Sequence, residues 1–155
     1  ILNKYWLDSY LNIISNNESV GAIGWGAGWF NSKGFAYKVV DAYEHCYMPP
    51  NSIARKDIGY LATCGFIIEK DLFNKIGKFD LNYDPTCYED TDLSLKVRNA
   101  GKETYYSKYL GVGHLPHQTT KSGTSAHDKL IREKGEYFLE KWKKINPDLI
   151  FKYIK

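Results

Sequence analysis

The stretch Cys87-Tyr88-Glu89-Asp90-Thr91-Asp92-Leu93-Ser94-Leu95-Lys96-Val97-Arg98 constrains this chain more than any other. Three carboxylates, Glu89, Asp90 and Asp92, fall within four residues. They stand where a loop gives way to a helical pattern, in which Leu93, Val97 and Ala100 share a face and Gly101 supplies a stop. Asp90 or Thr91 can cap such a helix by accepting a hydrogen bond from an unpaired backbone N–H. Acids there are also favoured by the helix dipole. Capping takes only one or two acids, however. The others stand beside the semi-apolar Cys87 and Tyr88, which suits a partly desolvated functional cluster. Residue types alone leave both a capped surface helix and a functional acid site open.

The flanks add order. Upstream lie Thr63-Cys64-Gly65-Phe66-Ile67-Ile68-Glu69-Lys70-Asp71-Leu72-Phe73 and then Ile76-Gly77-Lys78-Phe79-Asp80. Downstream lie Asn99-Ala100-Gly101-Lys102, a strand-like Thr104-Tyr105-Tyr106, and Leu110-Gly111-Val112-Gly113-His114. This succession resembles the C-terminal half of the family-2 glycosyltransferases, inverting sugar transferases of the GT-A fold. Their pattern runs from a glycine and an apolar strand through an acid-led short helix, "IGxFD" and "YEDxDLSLxxRxxG" to an aromatic strand and a histidine. The likeness extends over residues 6–142, and galactosyltransferase C-terminal domains carry a related acidic segment.

The resemblance implies an α/β chain, a partial GT-A (nucleotide-diphospho-sugar transferase) fold with a small mixed sheet and flanking helices. All 155 residues would be one domain, the C-terminal part of a catalytic domain. Inverting transfer needs a base to take the acceptor hydroxyl proton, and positive charge to stabilise the departing diphosphate. By resemblance Asp90 is the base, and Glu89 orients the acceptor or the base. Asp92 lies behind them as a supporting, capping or substrate-binding residue. Thr63, Cys64 and Gly65 fall at the substrate side, and His114 at the position of a metal-ligating histidine. The metal would be Mn²⁺ or Mg²⁺; an imidazole suits Mn²⁺ better, since Mg²⁺ prefers oxygen. His117 is the fallback ligand. The implied partners are a nucleotide-sugar donor and a glycan, lipid-linked or protein acceptor, as in polysaccharide biosynthesis in the cytoplasm or at the inner face of the membrane.

Composition narrows the alternatives. A chain of 155 residues, 43% hydrophobic and 15% aromatic, can bury one core and is short for two ordinary domains. Residues 126–155 hold eight Lys/Arg against five Asp/Glu, which accounts for the whole net charge of +3. That is a mildly basic face, far from a nucleic-acid-binding footprint. No apolar run reaches the roughly 18 residues of a membrane span, and no signal peptide is visible. Cys46, Cys64 and Cys87 are odd in number and read as thiols. A zinc site from Cys64, Cys87, His114 and His117 lacks a close-spaced cysteine pair.

Residues 1–14 open on a helical pattern with Trp6, Leu7, Tyr10, Leu11 and Ile14 on one face. Residues 20–25 then read as a buried strand. In the resembled family such a helix and strand follow the half that carries the donor-binding Asp-x-Asp, so the chain reads as a fragment lacking that half. Asp90-Thr91-Asp92 has the letters of that motif but begins a helix instead of ending an apolar strand, and is not taken for it. Loss of the donor half would expose a sheet edge at residues 20–25 and 65–68, to be covered by a homodimer or by covalent continuation.

Residues 24–50 are glycine-rich with large aromatics and lack a phosphate-loop spacing. Trp25 there is either a packing residue at a core-edge loop or a platform for a sugar ring. Residues 71–76 form a short packed helix ended by Gly77. The polar run 119–125 is a plain loop or a lid, and 128–145 a long amphipathic helix that docks on the core through Leu130, Ile131, Tyr137, Phe138, Trp142 and Ile145. Two functions of different kind follow: a sugar-nucleotide-dependent glycosyltransferase, or a binding or scaffold module that keeps the fold without turnover.

Overall fold

A computed structural model describes residues 2, 4–40, 54–114 and 124–155. The chain is mixed α/β, with two small sheets and flanking helices. Helix α1 (Trp6–Ser15) precedes β1 (Val20–Gly24), which passes through Trp25 alone into β2 (Gly26–Phe30) and on to β3 (Ala36–Val40). Strands β4 (Tyr60–Ala62) and β5 (Ile67–Ile68) lead to α2 (Lys70–Lys75), and a single 3₁₀ turn (Leu81–Tyr83) leads to α3 (Glu89–Asn99). Strand β6 (Glu103–Tyr106), the long α4 (Ser125–Ile145) and the short α5 (Asp148–Phe151) complete the order.

The first sheet runs β5-β1-β6 and is mixed: β1 is antiparallel to β5, pairing Ala22 with Ile68, and parallel to β6, pairing Gly24 with Tyr106. These are the three strands expected near 20–25, 65–68 and 104–106. β1 is the central strand of this sheet, and β5 and β6 form its edges. The second sheet, β3-β2-β4, is wholly antiparallel. Its β2 and β3 occupy ground expected to be a loop, since every residue of β2 is buried and no polar–apolar alternation marks it. The stretch 41–53 lies outside the described residues.

Helix α3 lies between the layers. Leu95 packs with Phe30, Phe138 and Trp142 on the α4 side, while Val97 packs with Ala22, Ala27 and Leu61 on the sheet side. Leu93 is buried as expected, and Ala100 is exposed. Gly101 follows the helix at φ 78°. The helix starts one residue before the expected cap: Tyr88 stands at the N-cap in the left-handed region and caps with no side-chain hydrogen bond.

Helix α1 forms where expected but is rotated: Trp6 and Tyr10 of the expected face pack inward, and the rest of that face does not. Ser9, Tyr10 and Ile13 are buried, while Leu7, Leu11 and Ile14 are about half exposed at 48%, 52% and 44%. Tyr10 decides the orientation by donating its hydroxyl to the Gly65 carbonyl across the core. Helix α4 begins three residues earlier than the periodicity suggested, at a cap in which the Thr124 hydroxyl accepts the His127 N–H at 3.3 Å. Its Phe138 and Trp142 are buried, while Ile131 and Ile145 remain exposed. No helix among the described residues is long and apolar enough to cross a membrane.

Candidate functional site

The acidic motif is built on α3, and its polar residues divide between two faces. Asp90, Ser94 and Arg98 recur every fourth residue, so they lie on one side of the helix. All three bind the backbone of the segment leading into and out of β4. Asp90 Oδ2 accepts the Thr63 N–H at 3.1 Å, and Ser94 Oγ accepts the Leu61 N–H at 3.0 Å. Arg98 donates to the carbonyls of Gly59 and Ile58, both at 2.6 Å. Residues 58–63 thus run antiparallel along the helix, held rung by rung. Sequence reasoning passed over Ser94 and Arg98, although their four-residue spacing behind Asp90 was the signal for a polar stripe facing a backbone.

Asp92 points to the other side. Its carboxylate accepts the Trp142 indole N–H at 2.7 Å and the Tyr83 hydroxyl at 3.3 Å, and pairs with Lys141 of α4 at 2.7 Å. Lys96 adds a longer contact at 3.4 Å. The Asp92 side chain is 1% exposed. This corrects its assignment as a substrate-binding residue: a fully engaged, buried carboxylate offers nothing to a ligand, and its work is to fasten α3 to α4.

Asp90 differs. It is half-buried at the start of α3, with Oδ1 accepting the Thr91 N–H at 2.6 Å and the Thr91 hydroxyl at 3.2 Å. Oδ2 takes the Thr63 hydroxyl at 3.3 Å besides the Thr63 amide. The Thr91 bond engages one of the N–H groups left unpaired at a helix start. Burial pushes the Asp90 carboxyl above the ordinary carboxylate range, against the opposing pull of the Thr91 and Thr63 donors. Glu89 is also half-buried, and is raised first by burial and then by the neighbouring Asp90 charge. Its Oε2 is buried with no hydrogen-bond partner. Glu89 borders a small cavity of about 170 Å³ with Tyr83, Thr86 and Pro85.

The backbone entering this corner is strained. Cys87 and Tyr88, neither of them glycine, have φ of 80° and 70°. Each left-handed residue of this kind costs about 1–3 kcal/mol and persists only where its surroundings hold it. Tyr88 is so held: its ring packs on Phe138, and its hydroxyl accepts the Ala36 N–H at 3.2 Å.

Thr63 is exposed beside Asp90, and Cys64 is half-buried next to it. Gly65 follows at φ 68°, where a Cβ would stand 3.0 Å from Val112 Cγ1 and 3.2 Å from Trp25 Cβ. Any other residue there would be strained in its backbone and would press on both neighbours. The loop therefore leads from Asp90 toward Trp25, whose ring meets His114 edge-on at 6.4 Å between centroids. Thr63 and Asp90 are brought into contact, and Gly65, Trp25 and His114 gather at the loop's other end. Trp25 is 0% exposed, which corrects its assignment as a sugar-stacking platform: no face of the ring is open.

His114 brings a single imidazole. Among the described residues no three His, Cys, Asp or Glu side chains gather as a metal site would. Cys64, Cys87 and His114 therefore make no zinc group among themselves, and His117 lies outside the described residues. The residues described do not by themselves fit Mn²⁺ or Mg²⁺. Cys64 and Cys87 are thiols, and burial raises the Cys87 thiol. Compared with known proteins, the chain matches no family model and no curated sequence.

Proposed function

We propose that this chain is the acceptor- and base-bearing part of an inverting glycosyltransferase with a partial GT-A fold, with Asp90 as the base. The observation that carries the reading is the Asp90–Thr63 corner. A half-buried carboxylate with raised proton affinity is aimed by two backbone N–H groups, from Thr63 and Thr91, at the edge of an exposed residue. A base works best when its proton affinity approaches neutrality and its orientation is fixed beforehand. The Thr63 hydroxyl contact is the weakest of the four: 3.3 Å is long for an O–H···O bond. An acceptor hydroxyl takes its place on Oδ2, leaving both amide bonds intact, and loses its proton there as it attacks the anomeric carbon. Glu89 would face the acceptor from the adjoining small cavity. The donor diphosphate, and any Mn²⁺ or Mg²⁺ that His114 helps to hold, require groups beyond those described. A cytoplasmic setting, where nucleotide sugars are made, goes with this reading.

The second reading, a binding or scaffold module, draws on the same corner, because all four contacts of Asp90 are already made within the chain. Release of nucleotide from UDP- and GDP-sugars by the full-length polypeptide, with and without Asp90→Asn, separates the two. The substitution keeps the shape and an acceptor oxygen while removing basicity. The enzyme reading expects turnover to fall by about 10²-fold or more with the fold intact by circular dichroism. Equal rates in the two proteins would put the base elsewhere, and no turnover with any donor would favour the module.

A further inference from the structure

A larger concavity lies at the opposite end of α3, beyond Arg98, and plays no part in the reading above. Its volume is about 480 Å³, within the range of small-molecule sites. Trp29 and Tyr153 supply its aromatic wall, and Lys56, Lys152 and Lys155 its ammonium groups. The ammoniums are organised: Lys155 Nζ stands 3.7 Å from the Trp29 ring centroid, and Lys152 Nζ 5.4 Å from that of Tyr153. The aromatic faces attract cations and hold these flexible side chains over the concavity.

Two carboxylates, Asp57 and Glu103, also line it. Asp57 is already taken, in a two-pronged pair with Arg55 at 2.9 and 2.7 Å. Behind Tyr153 lies a further cation: the Arg98 guanidinium is 4.1 Å from the Tyr153 centroid and the residue only 8% exposed. It donates to two carbonyls, its Nε is buried with no acceptor, and among the described residues no carboxylate pairs with it. Lys56, Lys152 and Lys155, all exposed, with Arg98 behind Tyr153, thus outnumber Glu103 once Asp57 is matched by Arg55, a surplus of positive charge. Glu103 is the carboxylate whose charge reaches Arg98, and Asp57 is held by Arg55, so the three ammoniums leave an excess of positive charge of the kind an anion fills. The cavity is too small, and the chain's net charge of +3 too low, for a nucleic-acid track.

We infer that this concavity binds a small, multiply charged phosphate ligand. Its aromatic rings serve to place the ammoniums, since Trp29 is 5% exposed beneath Lys155 and leaves little face for stacking. The phosphate can come from a soluble compound or from a lipid headgroup, and the two are separable.

The test is isothermal titration of the chain with inorganic pyrophosphate at about 20 mM salt, where screening is weak. The Lys152→Gln/Lys155→Gln protein is compared with Lys129→Gln/Lys143→Gln, which removes equal charge from the exposed side of α4. One site per chain is expected, weakened about tenfold or more by the first pair and within about twofold by the second. Absence of binding by the unmodified chain would overturn the inference, as would equal weakening by both pairs, which would reduce it to net charge. Vesicles of phosphatidylcholine with phosphatidic acid identify the source. Pelleting of the unmodified chain but not of Lys152→Gln/Lys155→Gln makes the ligand a headgroup. Pyrophosphate binding without pelleting makes it a soluble phosphate.

Discussion

The carboxylate of Asp92, in the first turn of α3, accepts the indole N–H of Trp142, in the last third of α4, at 2.7 Å. Around that bond gather Lys141, Tyr83 and Lys96, and through Lys141 a second carboxylate, Asp80, at 2.8 Å. An acid from the motif that suggested catalysis is thereby the principal tie between the two longest helices. Removing it strands a buried indole N–H and leaves the largely buried Lys141 ammonium with Asp80 as its remaining carboxylate.

Asp92→Ala is accordingly expected to cost about 3–5 kcal/mol, the usual loss when one partner of a buried pair is deleted. Asp92→Asn keeps an acceptor for Trp142 but gives up the charge opposite Lys141, and should cost less. Urea denaturation of the two variants checks both the size and the order. Equal, small losses would mean that the α3–α4 contact rests on its apolar residues alone.

The rungs along the other face of α3 make a separate prediction. Ser94 is fully buried, and its hydroxyl both accepts the Leu61 N–H and donates to the Asp90 carbonyl at 2.9 Å. Ser94→Ala leaves a strand N–H without a partner in the core, for which about 1–3 kcal/mol is expected. Amide exchange gives the specific signature: the Leu61 N–H should lose protection by more than its neighbours in β4.

These two faces mark what could be read from the residues. The order of helices and the three strands of the first sheet were legible, because β1 and α4 carry apolar runs of the right length and period. The orientation of α1 was not. Leu7, Leu11 and Ile14 continue the apolar stripe of Trp6 and Tyr10, yet a Tyr10–Gly65 bond between residues 55 apart goes with a helix rotated so that Ser9 and Ile13 are buried in their place. The second sheet was hidden because β2, buried throughout and glycine-bearing, lacks the alternation by which strands are recognised. At the site, residue types bring out Glu89, Asp90 and Asp92 together. Their separation into a half-buried corner and a buried tie depends on α4, which arrives from more than forty residues downstream. The proximity of Thr63 to Asp90 is likewise a product of the ladder and leaves no local trace.

Stability should depend on pH through two carboxylates of opposite sign. For Asp80, burial alone would raise the carboxyl, but Lys141, the Asn82 N–H and the Tyr137 hydroxyl outweigh it and hold the group well below the usual range. Its stabilisation is therefore complete above the unfolded value of about 3.9 and is lost as pH falls toward the folded one. Asp80→Asn should lose about 2 kcal/mol at neutral pH and converge with the unmodified chain in acid. Glu89 behaves inversely. Its folded affinity for a proton is raised, so its charge costs stability at neutral pH, and the cost is relieved as pH falls through the folded value. Glu89→Gln should therefore be the more stable protein at pH 7, with the difference closing on acidification. Urea midpoints across the acid range read both curves.

The final prediction concerns a glycine inside a helix. Gly135 sits at the middle of α4, where an alanine would by propensity gain about 1 kcal/mol. A Cβ there would stand 2.9 Å from Phe35 Cδ1 and 2.9 Å from the Tyr88 hydroxyl, closer than either atom tolerates. Whether the gain or the clash prevails depends on how far those side chains can yield. Tyr88 has little room: it is 7% exposed, packed on Phe138, and bonded through its hydroxyl to the Ala36 N–H. Overpacking of this kind costs about 1–3 kcal/mol, so Gly135→Ala should be neutral to destabilising in spite of propensity. Because Tyr88 is the strained residue that begins α3, its displacement reaches Glu89 and Asp90. If the corner at Asp90 is catalytic, Gly135→Ala should depress turnover by more than its loss of stability explains. Tyr88→Phe in the same background removes the contacting oxygen and should restore part of the loss. A Gly135→Ala protein more stable than the original would show that Phe35 and Tyr88 yield freely, and that the strained turn is not held from α4.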